Sequence, residues 1–452
     1  MLFIGRGKQK APRPKVIKAF AQVLAVTANK AISVIALANL STYCKMKKRT
    51  PPHQWTFPSR FRARAYGWRG SKLACQRIRE AISEIKKVYR KDPILGVEGA
   101  IRLIEKMSPA FEQIDTSSGA LGIATYNAVE TLVKLISEAP ADYQTRDQWL
   151  DRLWTAYQAD GYGLLDNLEE HWGELCGFPE VASRWADDLI WPTKLSWAEE
   201  VRSYFRGTIA CLSCLCAARR YQELMELLEL APYLSWHYRQ FGVRALVARG
   251  QKAEALKYAQ ASYGLNDPKL LIDQTCEDIL LSSGLAEEAY QRYALSANAK
   301  HTGIATFRAI AQKYPHKDKA EILKDLIAST PGAEGRWFAT AKELGFYEIA
   351  IAIARHSPCE PKTLNRAAKD YLAVNPHFAL DSAWSSLKWL AEGYGYEVTG
   401  LDVLEAFELA SQAAEKLGRV EEVNVIIGKI VGEDKSPGMF VKKILGSRLK
   451  MI

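Results

Sequence analysis

The sequence predicts an all-α protein in which helical hairpins stack into a right-handed, solenoid-like array behind a basic N-terminal arm. Two observations favour this fold class. From residue 71 onward, apolar residues recur at helical spacing along nearly the whole chain, with no convincing run of alternating β-branched residues. In the second half, four segments share one pattern around a glycine, at a spacing typical of paired helices.

The composition is that of an ordered globular protein. Of the 452 residues, 48% are hydrophobic and 25% are charged, which is enough apolar material to form a core. The eight cysteines are too few for a disulfide framework in a chain of this length, and most fall within apolar helical patterns. We therefore expect free thiols, a reducing environment and a cytoplasmic location.

The charge is distributed unevenly along the chain. Residues 1–70 contain 15 lysines and arginines and no acid, and the first acidic residue is Glu80. The rest of the chain holds 46 of the 61 basic residues and all 51 acidic residues, which gives it a net charge of −5. A basic arm before a mildly acidic body is typical of a targeting segment, or of a binder of nucleic acid, anionic lipid or acidic protein.

Residues 1–57 form this basic arm. A basic head precedes an apolar stretch at residues 19–40, but Lys30 divides the stretch into two parts of about ten residues, each too short to span a bilayer. Stable membrane insertion is therefore not expected. Met46, followed by three basic residues, resembles a bacterial translation start. The arm is either disordered, a targeting segment or the product of a mis-set start, and it stays open whether residues 1–45 are translated or retained.

A candidate nucleic-acid site follows in the stretch PSRFRARAYGWRGSK, residues 58–72. In an extended arm the alternating arginines would point one way, and the aromatic side chains could stack on bases. The candidate residues are Arg60, Arg62, Arg64, Tyr66, Trp68 and Arg69. The alternative is a solvated lead-in whose aromatic residues dock on the first helices. The basic character continues along the next helix through Lys72, Arg77, Arg79, Lys86, Lys87, Arg90 and Lys91.

Residues 58–199 are predicted to form an N-terminal helical domain. The first helix begins near Ser71, a plausible N-cap, and ends at Asp92-Pro93. Its apolar face is predicted to include Leu73, Ile78 and Ile85. The second helix is predicted to stop at Ser108-Pro109, and a loop at residues 115–119 precedes the third.

The recurring pattern begins with a glycine that ends one helix, and we predict that each such glycine adopts the left-handed conformation. Five residues later comes a small apolar residue, where the partner helix must pack closely, and four residues after that the same face recurs. The glycines are Gly250, Gly284, Gly345 and Gly418; the +5 residues are Ala255, Ala289, Ala350 and Val423; the +9 residues are Ala259, Tyr293, Ala354 and Ile427.

This pattern resembles the tetratricopeptide repeat, in which a turn glycine precedes an acid–alanine pair such as Glu254-Ala255 or Glu288-Ala289. The first two glycines are 34 residues apart, which is the repeat length of that family, whereas the later intervals are 61 and 73 residues. The resemblance covers residues 200–432, with a C-terminal tail at 433–452. It implies stacked hairpins that bind a protein or peptide partner. The chain as a whole also resembles bacterial proteins of unassigned function.

No catalytic motif is evident. The sequence contains no Gly-rich phosphate loop, no G-x-S-x-G nucleophile elbow and no H-E-x-x-H zinc helix, so no cofactor or metal is expected. Cys211, Cys214 and Cys216 lack further ligands to complete a tetrahedral site and are predicted to pack in the core. His171 and Glu174 share a helix face and are predicted to be solvated or hydrogen bonded. Tryptophans concentrated at residues 149–236 are predicted to fill the junction between the two domains; an aromatic binding groove is the alternative.

Two functional hypotheses follow. The first is a non-enzymatic interaction scaffold with a protein or peptide partner. The alternative is a nucleic-acid-associated protein that binds phosphates through basic residues 45–91. An active site assembled across helices without a recognisable motif stays a third interpretation, and the sequence leaves the oligomeric state open.

Overall fold

A computed structural model of the protein describes residues 53–264, 266–421, 425, 428–429 and 438–449; for residue 438 and residues 447–449 it describes the backbone alone. The predictions for residues 1–52, for residues 433–437 and 450–452 of the tail, and for Val423 and Ile427 lie outside the described residues. Within the described part of the chain there are 20 α-helices, three short 3₁₀ helices and no strand, so the predicted all-α class is confirmed.

The described helices fall into two compact units that divide between Asp267 and Pro268. Unit 1 contains ten α-helices: α1 Ser71–Tyr89, α2 Pro93–Phe111, α3 Ala120–Glu138, α4 Tyr143–Ala159, α5 Trp172–Cys176, α6 Pro179–Trp197, α7 Thr208–Ala217, α8 Tyr221–Glu229, α9 Trp236–Ala248 and α10 Lys252–Gln260. A continuous apolar core runs through this unit from Phe57 to Ala245. The predicted domain boundary at residues 199/200 falls inside this core.

The first helices show which local predictions were accurate. Asp92 caps α2, because its side chain accepts a hydrogen bond from the Leu95 amide at 3.0 Å, and Pro93 is the first residue of that helix. The prediction that α2 stops at Ser108-Pro109 was wrong, since the helix continues to Phe111. Pro109 lies in the last turn, where its missing N–H costs a single backbone hydrogen bond. Leu73 is half exposed rather than part of the buried face of α1.

Unit 2 contains the other ten described helices: α11 Lys269–Ser282, α12 Ala286–Ala297, α13 Gly303–Lys313, α14 Lys319–Ala328, α15 Phe338–Glu343, α16 Tyr347–His356, α17 Pro361–Tyr371, α18 Pro376–Ala391, α19 Gly400–Leu417 and α20 Gly438–Leu449. Consecutive helices pack as pairs, most extensively α18 on α19 and α17 on α18, followed by α11 on α12. The pairs α13/α14 and α17/α18 lie between the pattern glycines. They account for the long intervals, because their turns, at residues 314–318 and 372–375, contain no glycine.

The glycine prediction is confirmed at all four positions. Gly250, Gly284, Gly345 and Gly418 have φ of +79°, +76°, +82° and +65°. After each glycine, the next amide donates to a carbonyl five residues back, as Gln251 does to Leu246 at 2.9 Å. This bond satisfies a carbonyl that the helix end would otherwise leave unpaired.

The small residues after these glycines are buried as predicted. Ala255, Ala289 and Ala350 have no exposed surface, and the +9 residues Ala259 and Ala354 are equally buried. Since an alanine side chain ends at its Cβ, the neighbouring helix can approach the backbone closely at these points.

A fifth turn of the same kind joins α7 to α8 and has no glycine. Arg219 takes the left-handed conformation with φ of +60°, and the Arg220 amide donates to the Leu215 carbonyl at 3.0 Å. Leu224 and Leu228 occupy the +5 and +9 positions and are buried. The sequence pattern did not predict this turn, because Arg219 occupies the glycine position and Leu224 occupies the position at which the pattern requires a small residue.

Candidate functional site

The segment before α1 docks on the first helices through its aromatic residues. Phe57 and Phe61 are buried, and Tyr66 packs against Phe111 with ring centroids 5.5 Å apart. Phe61 contacts the same Phe111 ring at 5.9 Å. Trp68 differs from these residues, because 69% of its surface is exposed. The predicted stacking residues are therefore separated: Tyr66 lies in the core and Trp68 lies on the surface.

The candidate arginines are also separated. Arg60 Nη1 lies 2.6 Å from a Glu80 carboxylate oxygen, and Arg64 Nε lies 2.8 Å from Glu112. The backbone is not the extended strand that alternation would require, since residues 57–60 form a 3₁₀ helix and Arg64 has φ of +57°. Arg62 and Arg69 are exposed and form no ion pair within the described residues.

The tryptophans form the centre of the unit 1 core. Trp154, Trp172 and Trp185 meet in a three-way cluster with ring centroids 5.1–5.4 Å apart. Trp149 is also buried, whereas Trp191 is mostly exposed. The predicted packing role therefore holds for these four buried tryptophans, and they line no exposed groove.

Cys211 and Cys214 are fully buried in α7, as predicted for packing cysteines. Burial raises the pKa of the Cys211 thiol to about 12, which keeps it protonated at neutral pH. The Cys214 sulfur lies 4.0 Å from that of Cys176 on α5. Cys216 is partly exposed at the end of the same helix. Among the described residues, no cluster of three or more histidine, cysteine or acidic side chains has the arrangement needed for a metal ion.

His171 is hydrogen bonded, as predicted. Its Nδ1 lies 3.2 Å from Glu174 and its Nε2 lies 3.0 Å from Glu130 on α3. The hydrogen bond to Glu174 is the main cause that raises the pKa of His171, because it favours the charged imidazolium.

The most unusual carboxyl group in unit 1 is that of Glu169, in the 3₁₀ helix Asp166–His171. Only 4% of this residue is exposed, and burial raises its pKa to about 7. The nearby guanidinium of Arg206 bonds elsewhere: it lies 3.0 Å from Asp166 and 3.5 Å from the buried Asp160. Glu169 is therefore a carboxyl group poised to gain or lose a proton near neutral pH.

Large side chains lie exposed next to this carboxyl group. Tyr204, Tyr233 and Leu234 are 65–69% exposed, and they come from the loops before α7 and before α9. Tyr204 and Tyr238 lie within electrostatic reach of Glu169, and Tyr233 lies within reach of Tyr238. We call Tyr204, Tyr233, Leu234 and Tyr238 the tyrosine surface. The sequence does not indicate this surface, because Tyr204 lies 29 to 34 residues before the other three members and the four residues share no motif.

The chain was compared with protein-family models and with curated proteins. No family model matches the chain, and no curated protein is significantly similar to it. No described helix combines the length and apolarity that a bilayer crossing requires.

Proposed function

We propose that the protein is a non-enzymatic interaction scaffold that holds a protein or peptide partner through the tyrosine surface. The observation that carries this proposal is the exposure of Tyr204, Tyr233 and Leu234, together with the position of Tyr204 and Tyr238 within electrostatic reach of the same buried carboxyl group, Glu169. Tyrosine combines a large apolar ring with a polar end, which makes it one of the most frequent residues at the centre of protein interfaces.

The support beneath this surface is well anchored. Tyr238 packs on Trp197 with ring centroids 5.3 Å apart, and the Arg206 guanidinium lies 4.4 Å from the centre of the buried Tyr157 ring. A surface that is already ordered loses little conformational entropy when a partner binds, so more of the contact energy appears as affinity.

The charge beside the surface favours a basic segment in the partner. Of the acids in the 3₁₀ helix Asp166–His171, Asp166 lies 3.0 Å from Arg206 and Glu170 lies 3.8 Å from His237, whereas Glu169 forms no ion pair with another described residue. A partner lysine or arginine would favour the ionised form of Glu169, which burial alone disfavours.

The proposal includes the arrangement of the hairpins and the location of the protein in the cell. The hairpins would stack as a tetratricopeptide-like, right-handed array, which the left-handed turns and buried alanines support. The protein would act in the cytoplasm, a compartment in which its core-packed thiols stay reduced.

The proposal is tested by quantitative co-purification from a native lysate with two triple variants. Tyr204→Ala/Tyr233→Ala/Leu234→Ala removes the tyrosine surface. The matched control, Val374→Ala/Tyr396→Ala/Leu401→Ala, removes side chains of unit 2 that are 75–81% exposed. We expect the first variant to lose a defined partner at least tenfold and the control to keep it. Equal recovery with both variants would refute the proposal.

A further inference from the structure

We propose that the exposed face of α1 binds single-stranded nucleic acid, with phosphates held along the helix and a base stacked on Trp68. This site is independent of the tyrosine surface and of the partner proposed for it. It differs from the six residues that the sequence indicated, because three of those six are ion-paired or buried. Of the basic residues that continue along the chain, the structure selects four that share one face, three on α1 and Arg90 directly after it.

The four residues are Lys72, Arg79, Lys86 and Arg90, which we call the basic stripe. All four are exposed, and none forms an ion pair with another described residue. Their spacings of 7, 7 and 4 residues place them within about 40° of one another around the helix, over about 27 Å of its length. The stripe is therefore a linear array of free cations that matches a linear chain of phosphates.

The acids nearest to the stripe are already engaged. Glu80 accepts hydrogen bonds from Arg60 and Arg77, both at 2.6 Å. Glu84 accepts from the amide and the hydroxyl of Thr56 at 2.7 and 2.6 Å. The positive charge of the stripe is thus left for an external anion.

Trp68 precedes the first residue of the stripe, Lys72, by four residues in the chain, and its backbone is hydrogen bonded. Its carbonyl accepts a hydrogen bond from the Asp115 amide at 3.0 Å, while 69% of the residue stays exposed. Arg69 follows it directly and Arg62 precedes it by six residues, and both are exposed and form no ion pair with another described residue. An exposed indole ring can stack on a base only where the base face is free, which selects a single strand over a duplex.

A lipid surface fits this helix less well. Amphipathic helices bind membranes by burying their apolar face in the headgroup region. The apolar face of α1, formed by Ala74, Ile78, Ala81 and Ile85, is already buried against α2 and α3. The helix therefore offers charge without an apolar face to insert.

The test measures the binding of the full-length chain to a labelled single-stranded oligonucleotide over a series of salt concentrations. The variant Lys72→Gln/Arg79→Gln/Lys86→Gln/Arg90→Gln removes the stripe. The control, Lys319→Gln/Lys324→Gln/Arg366→Gln/Lys369→Gln, removes four exposed cations of unit 2. We expect the stripe variant to bind more than tenfold more weakly, with a slope of log K against log salt that is less steep by about 3. The control should bind as the unchanged chain does.

Trp68 provides the second arm of the test. Trp68→Ala should weaken binding roughly tenfold with an unchanged salt slope, and Trp68→Phe should restore most of the loss. Circular dichroism checks that each variant is folded; should the fourfold variant unfold, Arg79→Gln/Lys86→Gln replaces it, with a slope change of about 1.4.

Three results would overturn the proposal. The first is binding that the stripe variant leaves unchanged. The second is equal binding to duplex and single strand with no effect of Trp68→Ala. The third is binding to anionic vesicles without binding to the oligonucleotide.

Discussion

Each of the two units buries a glutamate, and the two side chains have opposite surroundings. In unit 2, Glu277 accepts hydrogen bonds from Asn298 at 2.7 Å, Lys313 at 2.7 Å and Tyr314 at 2.6 Å. In unit 1, Glu169 is almost as deeply buried, but the nearest arginine, Arg206, bonds Asp160 and Asp166 instead.

This difference separates a structural group from a candidate functional one. Asn298 directly follows α12, Lys313 is the last residue of α13 and Tyr314 directly follows it, so the Glu277 carboxylate ties α11 to the ends of both helices. Glu169 has no such set, and burial raises its pKa to about 7. A buried acid that is incompletely compensated and adjoins an exposed surface is more typical of a binding site than of a core.

The largest expected effect is that of Glu277→Ala. Removing the carboxylate leaves the Tyr314 hydroxyl without its acceptor, while Lys313 keeps Asp278 and Asn298 keeps the Ala294 carbonyl. The loss of these three bonds to a buried carboxylate should lower the free energy of unfolding by about 3 kcal/mol in urea denaturation. The control is Glu287→Ala, which removes an exposed partner of Lys317 at 2.8 Å and should cost less than about 1 kcal/mol. Equal losses in the two variants would contradict the structural role of Glu277.

Glu169→Gln should act in the opposite direction. The pKa of Glu169 rises from 4.5 in the unfolded chain to about 7 in the folded protein. Between these values the folded protein retains a proton that the unfolded chain has lost, so stability falls as pH rises through this window, by about 3 kcal/mol. The glutamine variant should therefore be more stable than the unchanged protein at pH 8 and equally stable at pH 4.

Glu170→Gln serves as the control for this pH dependence. The hydrogen bond to His237 lowers the pKa of Glu170, so its ionised form stabilises the fold above the unfolded pKa, and that stability is lost as pH falls. This variant should be the less stable one at neutral pH. Urea denaturation from pH 4 to 8 measures both variants, and a Glu169→Gln curve parallel to that of the unchanged protein would sink the assignment.

The glutamates also show what the sequence could not predict. Asn298 and Lys313 lie 21 and 36 residues after Glu277 in the chain. Glu169 lies within electrostatic reach of Tyr204, from the loop before α7, and of Tyr238, from α9. Such groups meet only through tertiary packing, which leaves no fixed spacing in the chain. The same holds for the segment before α1, residues 58–70. Its sequence does not show that Tyr66 is buried and that Trp68 is exposed, because tertiary packing decides both.

The helix ends were predictable where one residue type carries the constraint. A left-handed helix end strongly favours glycine, so Gly250, Gly284 and Gly345 could be identified, together with the buried alanines five residues later. Arg219 adopts the same left-handed conformation, but arginine is not typical of it, so the sequence did not predict this turn. Local backbone rules are therefore readable from the sequence, except where the chain tolerates an unfavourable residue.

Substitutions at the glycine turns and at the arginine turn should change the free energy of unfolding least, but in opposite directions. A Cβ at Gly345 would meet open space, so Gly345→Ala should destabilise the protein by about 1 kcal/mol through the backbone alone. Arg219 is exposed and unpaired among the described residues, so Arg219→Gly should stabilise by about 1 kcal/mol. Gly122→Ala, in the first turn of α3 with equal open space, controls for the substitution itself and should stabilise slightly.

One kind of left-handed turn closes helix pairs in both units, whether glycine or arginine occupies it. Urea denaturation of Arg219→Gly and Gly345→Ala, measured side by side at one pH, tests this claim most directly. We expect opposite changes of similar size: a higher free energy of unfolding for Arg219→Gly and a lower one for Gly345→Ala. A change of the same sign in both variants would show that the two turns are not equivalent and would contradict the account.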